Sequence, residues 1–98
     1  MNMQAMLKQA QKIQAEMAKS KEEIDSTEFV ATSSLVTVTM MGSKQLKSVK
    51  IDAEALEKDE IEMLEDMILI AVNNAIDQID GETERRMGKY TQGMPGLF

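Results

Sequence analysis

Met67-Ile68-Leu69-Ile70-Ala71-Val72 is an unbroken apolar run inside a stretch, Glu60 to about Glu84, that otherwise reads as one long helix. A surface helix ordinarily shows one apolar stripe and one polar face. Here six consecutive apolar residues make more than a full turn greasy in every direction. Such a helix has to be covered on all sides. The chain has 98 residues, and a domain of that size buries only about 60–65% of its unfolded surface. The reading that follows is one domain whose central helix is covered in part by a second copy of the same chain.

Around that run, Ile61, Leu64, Ile68, Ala71, Ala75 and Ile79 fall at spacings of three and four, and Met67, Val72 and Ile76 widen the stripe. Asp59 reads as the N-cap, with Glu62 three residues on as in a capping box. Glu60 and Glu62 suit the positive end of the helix dipole. Gly81 is expected to end or loosen the helix, with Glu84-Arg85-Arg86-Met87 offering one more turn. Residues 88–98, punctuated by Gly and Pro, read as a loosely ordered tail of the single domain 1–98. The amides of Asn73 and Asn74 follow the apolar run, one expected to face protein and the other water.

Upstream, residues 2–25 read as a first helix. Met3, Met6, Ala10, Ile13, Met17, Ser20 and Ile24 form a heptad seam, filled in by Gln, Lys, Glu and Ala. From Ser26 to Ser34 the helix formers give way to Ser, Thr and β-branched residues, so the helix stops and a short strand follows. Residues 35–41 alternate, with Val36, Val38 and Met40 on one face and Leu35, Thr37 and Thr39 on the other, as in a half-buried strand. Met41-Gly42-Ser43-Lys44 is the turn, Gly42 being assigned the positive φ of a tight hairpin. Residues 45–52 return with Val49 and Ile51 inward and Lys50 outward, and Ala53–Lys58 is expected to form one short helical turn.

Composition excludes much chemistry. There is no Cys and no His, which removes disulfides, zinc sites and Cys/His or Ser/His nucleophile pairs. No phosphate-binding glycine loop and no calcium loop is present. No stretch approaches the roughly 20 apolar residues of a membrane span, and a cytoplasmic protein is expected. No cofactor, metal or small-molecule substrate is implied, and no residue pair takes acid, base or nucleophile roles.

The net charge of −6 is unevenly spread. Residues 52–66 hold eight carboxylates against Lys58, a run accounted for by a solvated face and by the helix start. Residues 31–50 hold Lys44, Lys47 and Lys50 and no acid, and residues 85–89 hold Arg85, Arg86 and Lys89. An acidic total speaks against a nucleic-acid partner, but segregated charge leaves room for a local basic patch. Lys8, Lys12 and Lys19 lie off the seam of the first helix, where they either solubilise an exposed face or contact phosphates. Arg85 and Arg86 stand near a helix end, where cations suit the dipole and arginine makes a forked phosphate contact. Ten methionines serve core and dimer packing, or line an adaptable peptide groove.

The ordered set Val36-Thr37-Val38-Thr39, Gly42, Val49-Lys50-Ile51-Asp52, Leu64-Glu65-Asp66-Met67-Ile68, Ala71-Val72-Asn73-Asn74-Ala75 and Met87 resembles the YbaB/EbfC family of bacterial nucleoid-associated proteins. Met6-Leu7-Lys8-Gln9-Ala10-Gln11-Lys12 and Gly93-Met94-Pro95-Gly96-Leu97 extend the resemblance to nearly the whole chain. Met41 stands where the family usually has Asn, which implies a different turn type, and Ala53 stands where it often has Pro.

The resemblance implies an α+β domain of order α-β-β-β-α, with a small antiparallel three-stranded sheet and two long helices. It implies a homodimer with projecting helical arms that binds double-stranded DNA on the bacterial nucleoid, in nucleoid organisation or gene regulation. DNA contacts would map onto Lys8, Lys12, Lys19, Arg85 and Arg86. Leu64, Ile68, Ala71 and Ala75 face the chain's own sheet and first helix, leaving Met67, Leu69, Ile70, Val72 and Asn73 for the dimer interface. The alternative is a protein–protein adaptor using the Met-rich helices and the acidic helix start.

Overall fold

The computed structural model describes residues 2–91. Helix α1 spans Met3–Asp25, strands β1, β2 and β3 span Glu28–Ser33, Val36–Met41 and Leu46–Ile51, and helix α2 spans Ile61–Thr91. This is the expected α-β-β-β-α order. Asn2 caps α1, its side-chain oxygen accepting from the Gln4 amide at 3.0 Å. At the other end the Ser26 and Thr27 hydroxyls donate to the carbonyls of Glu22 and Glu23 at 2.9 and 2.6 Å. These two residues satisfy carbonyls the helix leaves orphaned and turn the chain into the sheet.

The sheet is antiparallel with β2 in the centre. The β1–β2 connection is the two-residue turn Ser34-Leu35, with Ser34 at φ 52°. The β2–β3 hairpin closes through Lys44 N to Met41 O and Met41 N to Gln45 O, each 2.8 Å. Here the positive φ belongs to Lys44, at 70°, not to Gly42. Gly42 is required for a different reason. A Cβ on it would stand 1.7 Å from the Ile24 carbonyl oxygen at the end of α1. The Gly42 amide also donates to Thr27 O at 2.9 Å, so the hairpin is seated directly on the helix terminus.

Val36, Val38 and Met40 are buried and the alternate residues half-buried, as the alternation predicts. They pack with Ala31 of β1 against Ala71, Ala75 and Ile79 of α2. Two alanines one turn apart let the helix lie close on the sheet. Phe29, Leu64, Met67, Ile68, Val72 and Ile76 ring this core. A second buried pair, Ile24 and Met87, lies on α1 and α2.

Helix α2 packs on β1 and β2. Strand β3 pairs Val49 with Val38 and Ile51 with Val36, which puts both on the inward face as expected, yet both remain exposed among the described residues. The helical turn expected at Ala53–Lys58 forms instead as a 3-10 turn at Lys58–Glu60 that runs straight into α2. The helix start therefore begins at Glu57, whose amide donates to the Glu60 carboxylate at 3.4 Å, rather than at Asp59. At its far end α2 continues through Gly81 and Gly88, so residues 88–91 are helix rather than tail. The rest of that expected tail, 92–98, lies outside the described residues.

Candidate nucleic-acid interface

The two helices run antiparallel and form a projecting arm on an elongated molecule, 71 Å in its longest dimension. Arg86 of α2 donates to the Glu23 carboxylate of α1, and Tyr90 shares a shallow cleft with Glu16, Lys19 and Ser20. From that level α1 continues toward Met3. Positions 8, 12 and 19 are separated by four and seven residues, so Lys8, Lys12 and Lys19 form one stripe along α1. Its seam residues lie on the roughly opposite face.

The two candidate arginines have different surroundings. The Arg85 side chain is 72% exposed and reaches back one turn to Glu82. That of Arg86 is 26% exposed and is committed to Glu23 across the helix pair. The hydrogen bond from Arg86 is the main cause that holds the Glu23 carboxyl below its usual range, partly opposed by desolvation and reinforced by the charges of Arg86 and Lys19. Arg86 is thus first a fastener of the arm, and Arg85 the cation it presents outward.

Lys89 belongs with this group and was not among the residues expected there. It stands one turn beyond Arg85, with its ammonium 4.9 Å from the centre of the Tyr90 ring. The signal was the i, i+4 spacing from Arg85, hidden as long as residue 88 was taken to open a tail. Residues 1–15 carry Lys8 and Lys12 and no acid, and residues 85–98 carry three cations and no acid. The eight carboxylates of residues 52–66 lie around the start of α2, at its other end. The molecule is therefore electrically lengthwise, acidic where α2 begins and basic where it ends. By contrast Lys44 and Lys47, on the sheet, pair with Asp80 and Glu28.

Of the expected interface residues, Leu69 and Ile70 are 61% and 49% exposed, and Asn73 is exposed beside them. Met67 and Val72 are half-buried against the chain's own core. Leu46, Val49 and Ile51 of β3 add further uncovered apolar surface. Among the described residues no group of three or more acids is placed to hold a metal ion, and no helix is long and apolar enough to cross a membrane.

The fold defines a small sheet-and-helix body that carries a helical arm, with Lys8 and Lys12 in an acid-free stretch of α1 and Arg85, Arg86 and Lys89 in the last turns of α2. The chain belongs to the YbaB/EbfC DNA-binding family, whose model matches residues 1–94. It is 45% identical to a nucleoid-associated protein of Enterococcus faecalis, across 98% of this chain and 94% of that protein. It is 47% identical to a nucleoid-associated protein of Lactococcus lactis subsp. cremoris, across 97% of this chain and 98% of that one. Its fold is similar to the crystal structure of an uncharacterized protein from Helicobacter pylori, with a TM-score of 0.75 at 17% identity, covering 92% of this chain and 97% of the other.

Proposed function

We propose that this protein binds double-stranded DNA as a homodimer, without catalysing a reaction, as a component of the bacterial nucleoid in the cytoplasm that serves nucleoid organisation and gene regulation. The observation that carries this reading is the lengthwise separation of charge. An acidic chain concentrates Lys8, Lys12, Lys19, Arg85 and Lys89 on one projecting arm, with the acidic run of residues 52–66 at the opposite end of α2. The exposed Leu69 and Ile70 and the uncovered inward face of β3 supply apolar surface for a second copy. A dimer presents every arm cation twice, and phosphate contacts add in their effect on affinity. The curated relatives named as nucleoid-associated proteins support the cellular setting.

The mechanism is electrostatic. Lys and Arg side chains on the arms displace condensed counterions from the duplex backbone, with no need to read base edges. Six to ten engaged phosphates would reduce affinity about 10³–10⁵-fold as salt rises from roughly 50 to 200 mM. A gel-shift titration at those two salt concentrations tests the reading. A retarded complex at low salt that weakens steeply at high salt is expected. No complex at low salt overturns it.

A further inference from the structure

Gly81 stands in the interior of α2, exposed and in ordinary helical conformation, with nothing among the described residues within 4 Å of where its Cβ would be. Neither packing nor backbone geometry asks for glycine there, and glycine weakens a helix interior. Its place in the fold supplies a reason. On one side of it Ala71, Ala75 and Ile79 hold α2 to the sheet. On the other, Arg86 ties α2 to Glu23 of α1. Gly81 therefore marks the level at which α2 leaves the body and joins the arm. The chain also passes between arm and body at Ser26-Thr27, which is not helical. There the Gly42 amide donates to Thr27 O at 2.9 Å, and the hairpin meets the Ile24 carbonyl backbone to backbone.

Between the two crossings lies a cleft of about 300 Å³, bounded by Ile24 and Asp25 of α1, Gly42 and Lys44 of the hairpin, and Asp80 and Thr83 of α2. Among the described residues the junction is thus incompletely filled, whereas in a close-packed core any shift breaks contacts. Lys44 and Asp80 pair at its edge at 2.8 Å, but their side chains are 50% and 58% exposed, so the pair holds weakly in water. We propose that Gly81 and Ser26-Thr27 form a hinge on which the arm swings against the body, opening and closing this cleft. With no side chain at position 81, water reaches the backbone bonds on the solvent side of α2, which is where helices bend.

The arm moves as a unit because Arg86 and Glu23 fasten its two helices beyond the hinge. Lys8 lies sixteen residues along α1 from Ile24, about 24 Å from the pivot. A bend of roughly 20° moves it by about 8 Å while α2 stays one continuous helix. The swing lets the stripe of Lys8, Lys12 and Lys19 adjust to the surface it meets. Its consequence for DNA rests on the reading given above, whereas the hinge itself does not.

The chain has no cysteine, so introduced cysteines alone carry spin labels. Lys12→Cys on the arm with Ser48→Cys on the sheet, in the full chain diluted with excess unlabelled protein, reports the distance within one chain by double electron–electron resonance. Its distribution is expected to be broader than that of a pair within the body, Asp77→Cys with Ser48→Cys. Gly81→Ala is expected to narrow the arm distribution, whereas Gln78→Ala, about one turn earlier on α2, leaves it unchanged. Equal widths for the two pairs, no narrowing by Gly81→Ala, or equal narrowing by both substitutions overturns the proposal. The measurement is made without DNA, so a failed gel shift leaves it intact.

Discussion

Arg86 of α2 and Glu23 of α1 join the two helices of the arm across sixty-three positions of sequence. Glu23 titrates below its unfolded value, chiefly because it accepts a hydrogen bond from Arg86. A carboxylate with a depressed folded pKa stabilises the fold above its unfolded pKa, about 4.3, and that contribution is lost as pH falls through the lowered folded value. Glu23→Gln is therefore expected to lower the thermal midpoint at pH 7. The difference from the unaltered protein should shrink as pH drops below about 4. Melting curves across pH check this, and a difference that grows in acid contradicts it.

The two neighbouring arginines are expected to separate in a salt titration. Arg85→Ala and Lys89→Ala remove outward cations and should each reduce the slope of log affinity against log salt by about 1, with little change in stability. Lys8→Ala, Lys12→Ala and Lys19→Ala should do the same. Arg86→Ala should show chiefly as a lower melting temperature, because it leaves Glu23 without its partner.

Leu69 and Ile70 are open to solvent in the single chain. Leu69→Glu or Ile70→Glu should leave the circular dichroism of the fold in place and yield a monomer by light scattering. In a dimer, each would bury an unpaired carboxylate at a cost of about 2–5 kcal/mol. A dimer mass retained by both variants would show that the second copy sits elsewhere.

Two glycines should respond oppositely to alanine. Nothing lies within 4 Å of a Cβ at Gly81, inside α2. Gly81→Ala should raise stability by about 0.5–1 kcal/mol. Gly42→Ala drives a methyl into the Ile24 carbonyl and should cost more than about 3 kcal/mol, or abolish folding. Denaturant titration of both variants measures the contrast.

Period-two alternation placed Val36, Val38 and Met40 correctly, and three-and-four spacing placed both helices, because burial imposes those periods locally. What the sequence concealed depends on distant partners. Gly81 reads as a stop, yet buried Ile79 and Met87 on either side carry the helix through it. The demand on Gly42 comes from Ile24 and not from its own turn. Ser34 turns a hairpin with no glycine to announce it. For the same reason Arg86 reads as a candidate phosphate ligand until Glu23 appears beside it. Lys8, Lys12 and Lys19 could be grouped from spacing alone, since a shared helix face needs no tertiary information.

Because α2 runs without interruption from Ile61 to Thr91, the same rod is both floor of the body and strut of the arm. It is about 46 Å long. From Ala75, where it rests on the sheet, to Thr91 is about 24 Å, so a tilt of roughly 8° there would swing the far end by about 3 Å, close to the spacing of phosphates along one strand. Small repackings of Ala71 and Ala75 on the sheet thus act as a vernier on the reach of cations far from them. Selection on those two alanines can tune where the arm's cations lie without changing a single charged residue.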